Sequence, residues 1–263
     1  MDSLLVERAG GVVTCTLHRP DKKNAITNEM WLGLIELFES VATNAEDRVL
    51  VITGAGDGFC SGADLSGEGG GTEQAASGAG GALAGMRTVG RAALGLHDLG
   101  KPTIAAVNGV AAGAGCNLAL GCDLVIASER ARFSEIFSKR GLVVDFGGSW
   151  ILPRLVGMHR AKELVLLADV IDVTEAERIG LVNRVVAHDQ LETTVKEIAT
   201  RLANMAPLAL AASKRLLNQA FSVSMAEALD AENTAQALMS TTNDTREAIL
   251  AFFERREPRF TGS

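Results

Sequence analysis

A chain of 263 residues with 47% hydrophobic and 22% charged residues has the make-up of a globular protein. At this length it buries roughly three-quarters of the surface its unfolded chain would expose. A net charge of -7 argues against a nucleic-acid partner, which needs a basic footprint, and the absence of Tyr leaves Ala, Val and Leu to fill the core.

Leu4–Glu7 and Val12–Leu17 read as two strands joined at Gly10-Gly11, a hairpin signal. A polar turn follows, Arg19 to Asn24, holding Arg19, Lys22 and Lys23. Thr27 or Asn28 then caps a helix reaching about Val41, with Trp31, Leu34, Ile35 and Phe38 on one face. Val49–Thr53 is a buried strand, and the loop Gly54–Gly58 leads into Phe59-Cys60-Ser61-Gly62-Ala63-Asp64-Leu65. Residues 66–82 are mostly Gly, Ala and Ser, which predicts a mobile loop or lid. A helical pattern returns from about Leu83 to Leu99.

The central stretch runs from Lys101 to Ser149. Thr103–Val107 reads as a buried strand broken by Asn108-Gly109, and Gly113-Ala114-Gly115 opens a short helix, Cys116 to Leu120. Leu124–Ala127 is another strand. The alternation of strands and helices implies a layered α/β fold with parallel pairing. Beyond Gly148 the chain turns helical: Trp150–Leu155, His159–Ala168 and Thr174–Ile179, then an extended Asn183–Val186, then four helices near 189–205, 207–220, 224–241 and 243–255. Residues 1–200 are expected to form the core and 201–263 a helical region for trimming or assembly.

Several chemistries find no support. Cys15, Cys60, Cys116 and Cys122 form no C-x-x-C pair, and His18, His97, His159 and His188 are scattered, so neither a zinc site nor any other metal site is expected. The thiols are expected to be reduced and buried. The glycines of the central turn lack dinucleotide spacing, and no phosphate-loop or nucleophile-elbow motif occurs. No apolar run is long enough to cross a membrane, and the N-terminus lacks a signal-peptide pattern, which predicts a cytoplasmic protein without a membrane partner. What remains is two glycine-rich turns, Ser61–Asp64 and Ala112–Gly115, each after an apolar strand. Two N–H groups converging from them would make an oxyanion hole; two ordinary strand-to-helix turns are the simpler alternative.

The order of segments resembles the crotonase superfamily, the enoyl-CoA hydratase/isomerase family. The matching residues are Arg19-Pro20 with Asn24-Ala25, Phe59 to Leu65, Lys101 to Gly109, Gly113 to Cys116, Cys122-Asp123, Phe133, Gly147-Gly148, Ala176 with Gly180-Leu181-Val182, and Phe252 with Glu254-Arg255-Arg256. The match runs through nearly the whole chain. The resemblance implies a spiral of ββα units with a helical C-terminal region. It implies an acyl-CoA thioester substrate, no separate cofactor, and trimers or hexamers built as dimers of trimers. By position, Ala63 and Ala114 donate their backbone N–H groups to the thioester oxygen. Ser61, Ala63, Asp64 and Leu65 lie against the coenzyme A adenine, and Lys22 or Lys23 meets its phosphates, with Arg255 of the partner subunit a weaker candidate.

The pattern also departs from the family. Its hydratases use two Glu; here those places hold Asn117 and Phe137. Asp145, two residues before Gly147-Gly148, matches an acidic residue of the dienoyl-CoA isomerases, and Gly141 to Trp150 is similar to the phenylacetate-pathway ring isomerases. The expected reaction is therefore a double-bond shift with Asp145 as base, its pKa raised by Val143, Val144 and Phe146. A helix N-cap is the competing role for Asp145. Glu135 is a second candidate base, more plainly a solvated or salt-bridged side chain. Hydration of a 2-enoyl-CoA, attack by Asp145 as a nucleophile, and a non-catalytic acyl-CoA binder are the alternatives.

Overall fold

The computed structural model describes residues 2–66 and 78–263. Most of the Gly-rich segment read as a lid lies outside these residues. Its last part, 78–82, is instead helical.

The hairpin β1 (Leu4–Ala9) and β2 (Val12–Leu17) is antiparallel. Three parallel strands follow it in one six-stranded sheet: β3 (Val49–Gly54), β5 (Thr103–Val107) and β7 (Leu124–Ser128). β10 (Arg184–Val186) closes the order β1-β2-β3-β5-β7-β10. A smaller sheet, in the order β4-β6-β8-β9, holds β4 (Gly58–Cys60), β6 (Val110–Ala112), β8 (Arg132–Ser134) and β9 (Ile171–Asp172). Each of β3, β5 and β7 thus runs into a three-residue strand of the second sheet and then toward a helix. This is the repeating ββα spiral that the sequence resemblance implied.

The small strands escaped the sequence reading because three residues give too few alternations to register. Their corners are nevertheless encoded. Asn108 at the end of β5 directs its Nδ2 at the carbonyls of Gly54, Gly56 and Gly58. A side chain on Gly54 or Gly109 would overlap backbone of the 57–59 segment, so neither corner admits one.

Helix α1 (Asn28–Thr43) begins where expected, with Thr27 accepting from Met30 N. It buries Trp31, Leu34, Ile35 and Phe38 as its 3.6-residue period requires, together with Met30, Leu37 and Val41. Helix α2 (Gly78–His97) starts earlier than the sequence suggested. Helix α3 (Ala114–Leu120) is wholly buried. Helix α4 (Gly148–Leu167) joins the two segments read as separate helices, and its non-helical Gly157 (φ 75°) marks the break between them.

Side chains of the core strands alternate between two apolar clusters. Leu50, Ile52, Ala105, Val107, Val125 and Ala127 face the main core with α1 and α3. Val49, Val51, Ile104, Ala106 and Ile126 face the other way. Leu191, Val195 and Ala199 of α6 (Leu191–Ala203) cover them, after the short α5 (Val173–Arg178).

The last third is helical as expected: α7 (Pro207–Gln219), α8 (Met225–Met239) and α9 (Asn243–Glu254). Lys214 Nζ ties α7 to Asp123 Oδ2 at 2.7 Å, and Asn218 donates to the His97 carbonyl. Phe252 and Phe253 on α9 remain 78% and 77% exposed.

Candidate active site

The first turn leaves β4 as Ser61-Gly62-Ala63. Ser61 N donates to Lys23 O, Ile26 N to Gly62 O and Asp64 N to Ile26 O. This one-residue parallel bridge between Ile26 and Ala63 uses the groups on either side of Ala63, so the N–H of Ala63 points away from it. Gly62, at φ 102°, makes the required left-handed bend.

The second turn leaves β6 at Gly113, whose N–H donates to Ser134 O and whose φ of 54° again suits glycine. Ala114 is the first residue of α3, where helix geometry provides no partner for an N–H. Among the described residues, neither Ala63 N nor Ala114 N finds a backbone acceptor.

The two turns abut. A methyl group placed on Gly62 would sit 3.0 Å from Ala112 O and 3.8 Å from Ala114 N. One placed on Gly115 would overlap the backbone and thiol of Cys60. Small residues bring the backbones together, and the two free N–H groups are brought into one neighbourhood.

One turn of α3 beyond Ala114 lies Asn117, fully buried. Its Nδ2 donates to Glu135 Oε2 at 3.2 Å and to the main-chain oxygen of Asp145 at 3.0 Å. Gly148 seals the amide from the other side, where an added methyl would come within 2.5 Å of Nδ2. Asp145 does not cap α4: Gly147, at φ 80°, is the N-cap, with no side-chain cap bond.

The Asp145 carboxyl is instead turned inward, with Oδ1 buried and without a donor among the described residues. Burial raises its pKa to about 6. Of the three apolar neighbours expected to cause this, Val143 is 84% exposed and contributes no cover, whereas Phe146 is buried and stacks on Trp31.

Glu135 differs most from expectation. It is neither solvated nor salt-bridged but 1% exposed, and burial raises its pKa to about 7, against opposing hydrogen bonds from Cys116 and Asn117. The sequence held a signal for this. Glu135 continues the period of two that puts Phe133 inside, and Phe133 is also 1% exposed. Phe137, at the place of the family's second Glu, lies with its ring against Gly113 of the second turn.

The residues expected to hold coenzyme A divide. Lys22 and Lys23 lie exposed beside the first turn, linked to it by Ser61 Oγ to Lys22 O and Ser61 N to Lys23 O. Lys23 is paired with Asp57 at 2.5 Å, both largely in water. Leu65 is 54% exposed. The Asp64 carboxylate is engaged within the turn. It is 5% exposed, 2.8 Å from Arg19 Nη1, and accepts from Ser66. Its part is to fasten the turn. Arg255 is an exposed left-handed residue closing α9.

A cavity of about 960 Å³ opens elsewhere, between α2, α4 and α7. Phe146 and Gly147 reach its wall, but Ala63, Ala114, Glu135 and Asp145 do not. No group of His, Cys, Asp and Glu that could hold a metal ion occurs among the described residues. No helix among them is long and apolar enough to cross a membrane.

The Enoyl-CoA hydratase/isomerase family model matches residues 7–263. The chain belongs to the enoyl-CoA hydratase/isomerase family. It is 38% identical to the 1,2-epoxyphenylacetyl-CoA isomerase of Escherichia coli (strain K12), over 100% of this chain and 99% of that one. It is 36% identical to a short-chain-enoyl-CoA hydratase of Clostridium acetobutylicum, over 98% and 97% of the two chains. An enoyl-CoA hydratase structure from Bacillus anthracis superposes with a TM-score of 0.93 at 32% identity, covering 99% of this chain and 100% of that one. The relatives include both an isomerase and hydratases.

Proposed function

We propose that this family member isomerises an acyl-CoA thioester by proton transfer, with Asp145 as the base and the N–H groups of Ala63 and Ala114 as the oxyanion donors. The observation that carries this is Asp145: its carboxyl is inward-facing, without a cation among the described residues and raised toward neutrality, and its main-chain oxygen is joined through Asn117 to the helix that begins at Ala114. At neutral pH it is ionised and still basic enough to take a carbon-bound proton. The electron pair left behind moves onto the thioester oxygen, where two donors stabilise the enolate by roughly 3–4 kcal/mol each. Asp145 exchanges with solvent and then returns a proton to another carbon. The Escherichia coli isomerase among the relatives supports this reading, as do Asn117 and Phe137, neither of which activates water.

Hydration is the second reading, and the observation in its favour is Glu135, a buried carboxyl with a pKa raised to about 7. Proton exchange separates the two. In D2O, wild-type protein given 3-enoyl-CoA and 2-enoyl-CoA is followed by NMR beside Asp145→Asn. Deuterium uptake with double-bond migration, lost in the variant, is the expected result. A 3-hydroxyacyl product that survives the substitution would move the base elsewhere. Binding of both compounds without turnover would leave a non-catalytic acyl-CoA binder.

The same reading seats the adenine against Ser61–Leu65 and the phosphates near Lys22 and Lys23. It assigns assembly into trimers or hexamers to residues 201–263, where exposed Phe252 and Phe253 support a contact between copies. Sedimentation at working concentration checks this.

A further inference from the structure

The single-base reading leaves Glu135 idle, yet it is the most deeply buried carboxyl of the site. Its Oε1, Asp145 Oδ1 and Asn117 Oδ1 are all buried with no donor among the described residues. Three acceptor oxygens gathered around one side-chain amide need a hydrogen that the backbone does not supply. The orientation of Asn117 is fixed by its neighbours. A main-chain carbonyl such as that of Asp145 only accepts, so Nδ2 must face it, and its second hydrogen goes to Glu135.

The groups facing Glu135 are Cys116 and Asn117 of α3 and Asp145 from the loop before α4; Cys60 of β4 lies next to Cys116. None is a cation, and neither carboxyl makes an ion pair among the described residues. Two carboxylates in such surroundings do not both ionise readily, so one proton is retained.

We propose that Glu135 is the proton-holding partner of Asp145: with the Asn117 amide joining the Glu135 carboxyl to the Asp145 main chain, the two carboxyls share one negative charge, which Glu135 leaves on Asp145. The proposal rests on Asp145 being the base. Glu135 exchanges no proton with the substrate. It is a positioning residue, acting through Asn117 on the Asp145 backbone and through charge on the Asp145 carboxyl. The substrate C–H bond breaks toward Asp145, the electron pair goes to the thioester oxygen, and Asp145, having exchanged with solvent, returns a proton to another carbon. Glu135 is protonated before and after. Burial raises both carboxyls, and the negative charge of Asp145 adds to the rise of Glu135.

The test compares Glu135→Gln, Glu135→Leu and Asp145→Asn by kcat and KM for isomerisation across pH 5 to 9, and by carboxyl 13C NMR titration of the free proteins. Gln keeps a neutral acceptor for Asn117, so kcat near pH 6.5 should stay within about threefold of wild type, with the upper inflection of the pH profile gone. Leu removes the acceptor, so kcat should fall at least about tenfold with KM little changed. By NMR, Asp145→Asn should lower the Glu135 midpoint while leaving it above the ordinary Glu range.

If Glu135→Gln is as inactive as Asp145→Asn, Glu135 itself exchanges protons with substrate and the proposal is wrong. It is equally wrong if both Glu135 variants keep the wild-type rate and pH profile, or if Asp145→Asn leaves the Glu135 midpoint unmoved. Activity surviving in Asp145→Asn overturns the base assignment instead, and the NMR midpoints still decide whether the pair exists.

Discussion

Two regions of the candidate site enclose carboxyl groups, and they treat them in opposite ways. At the first turn, burial works against the charge of Asp64, but Ser66 and Arg19 more than compensate and hold its pKa near 2. Around Asn117, burial meets no cation among the described residues, and Asp145 and Glu135 rise to about 6 and 7. The first arrangement fixes a backbone in place. The second keeps carboxyls able to gain and lose protons near neutrality, which is what acid–base chemistry needs and what stability alone disfavours.

The contrast can be broken from either side. The largest effect is expected from Asp145→Asn, which keeps shape and removes basicity. Turnover should fall by roughly 10²–10⁴, while acyl-CoA affinity by calorimetry stays close to wild type. Next is Gly148→Ala. Its methyl would press on both the Asn117 amide and Val144, so the bridge must move. Turnover should drop about tenfold or more, with about 1–3 kcal/mol of stability lost in denaturant titration.

Glu135→Gln should act on stability in the reverse direction. The Glu135 pKa is raised in the fold from 4.5 to about 7, so between those pH values the native state binds more protons than the unfolded chain. Stability contributed by that proton is fully present below about pH 4.5 and lost as pH rises through about 7. The Gln variant should therefore be more stable than wild type at pH 8, by about 1–3 kcal/mol, with the difference shrinking toward pH 5.

Arg19→Ala converts the first region toward the second. Asp64 loses its cation while staying buried, its pKa should climb, and about 1–2 kcal/mol of stability should go at pH 7. The smallest effect is expected at the surface. Lys22→Ala should weaken coenzyme A ester binding severalfold, less in high salt, without changing kcat.

Much of this organisation is written in the chain. The hairpin, α1 with its Thr27 cap, the buried strands β3, β5 and β7, and the helical tail follow from periodicity and from Gly and Asn punctuation. The second sheet is not legible that way. Its strands are too short to show a period and exist because glycine corners let the chain cross itself. In the candidate site, resemblance to the family singles out Asp145 and the two turns, whereas the burial of Glu135 runs against its reading as a solvated or salt-bridged side chain. A charged residue predicts exposure on average, and only its register with Phe133 argues otherwise. Nor does sequence distinguish Asp64 from Asp145, because the cation that separates them sits 45 residues away, at Arg19.

The four cysteines lend the molecule a built-in clock. All are free and buried, and burial holds Cys15, Cys60 and Cys122 near 12, with Cys116 also well above its ordinary value. A thiolate-seeking reagent can modify none of them until the fold opens. Labelling times therefore report how often each layer comes apart. Cys60 and Cys116 flank the contact between the two glycine turns, whereas Cys15 lies in the main sheet. If an acyl-CoA slows the labelling of the first two and spares Cys15, the turns breathe on their own. If all four slow together, the site opens only when the whole molecule does.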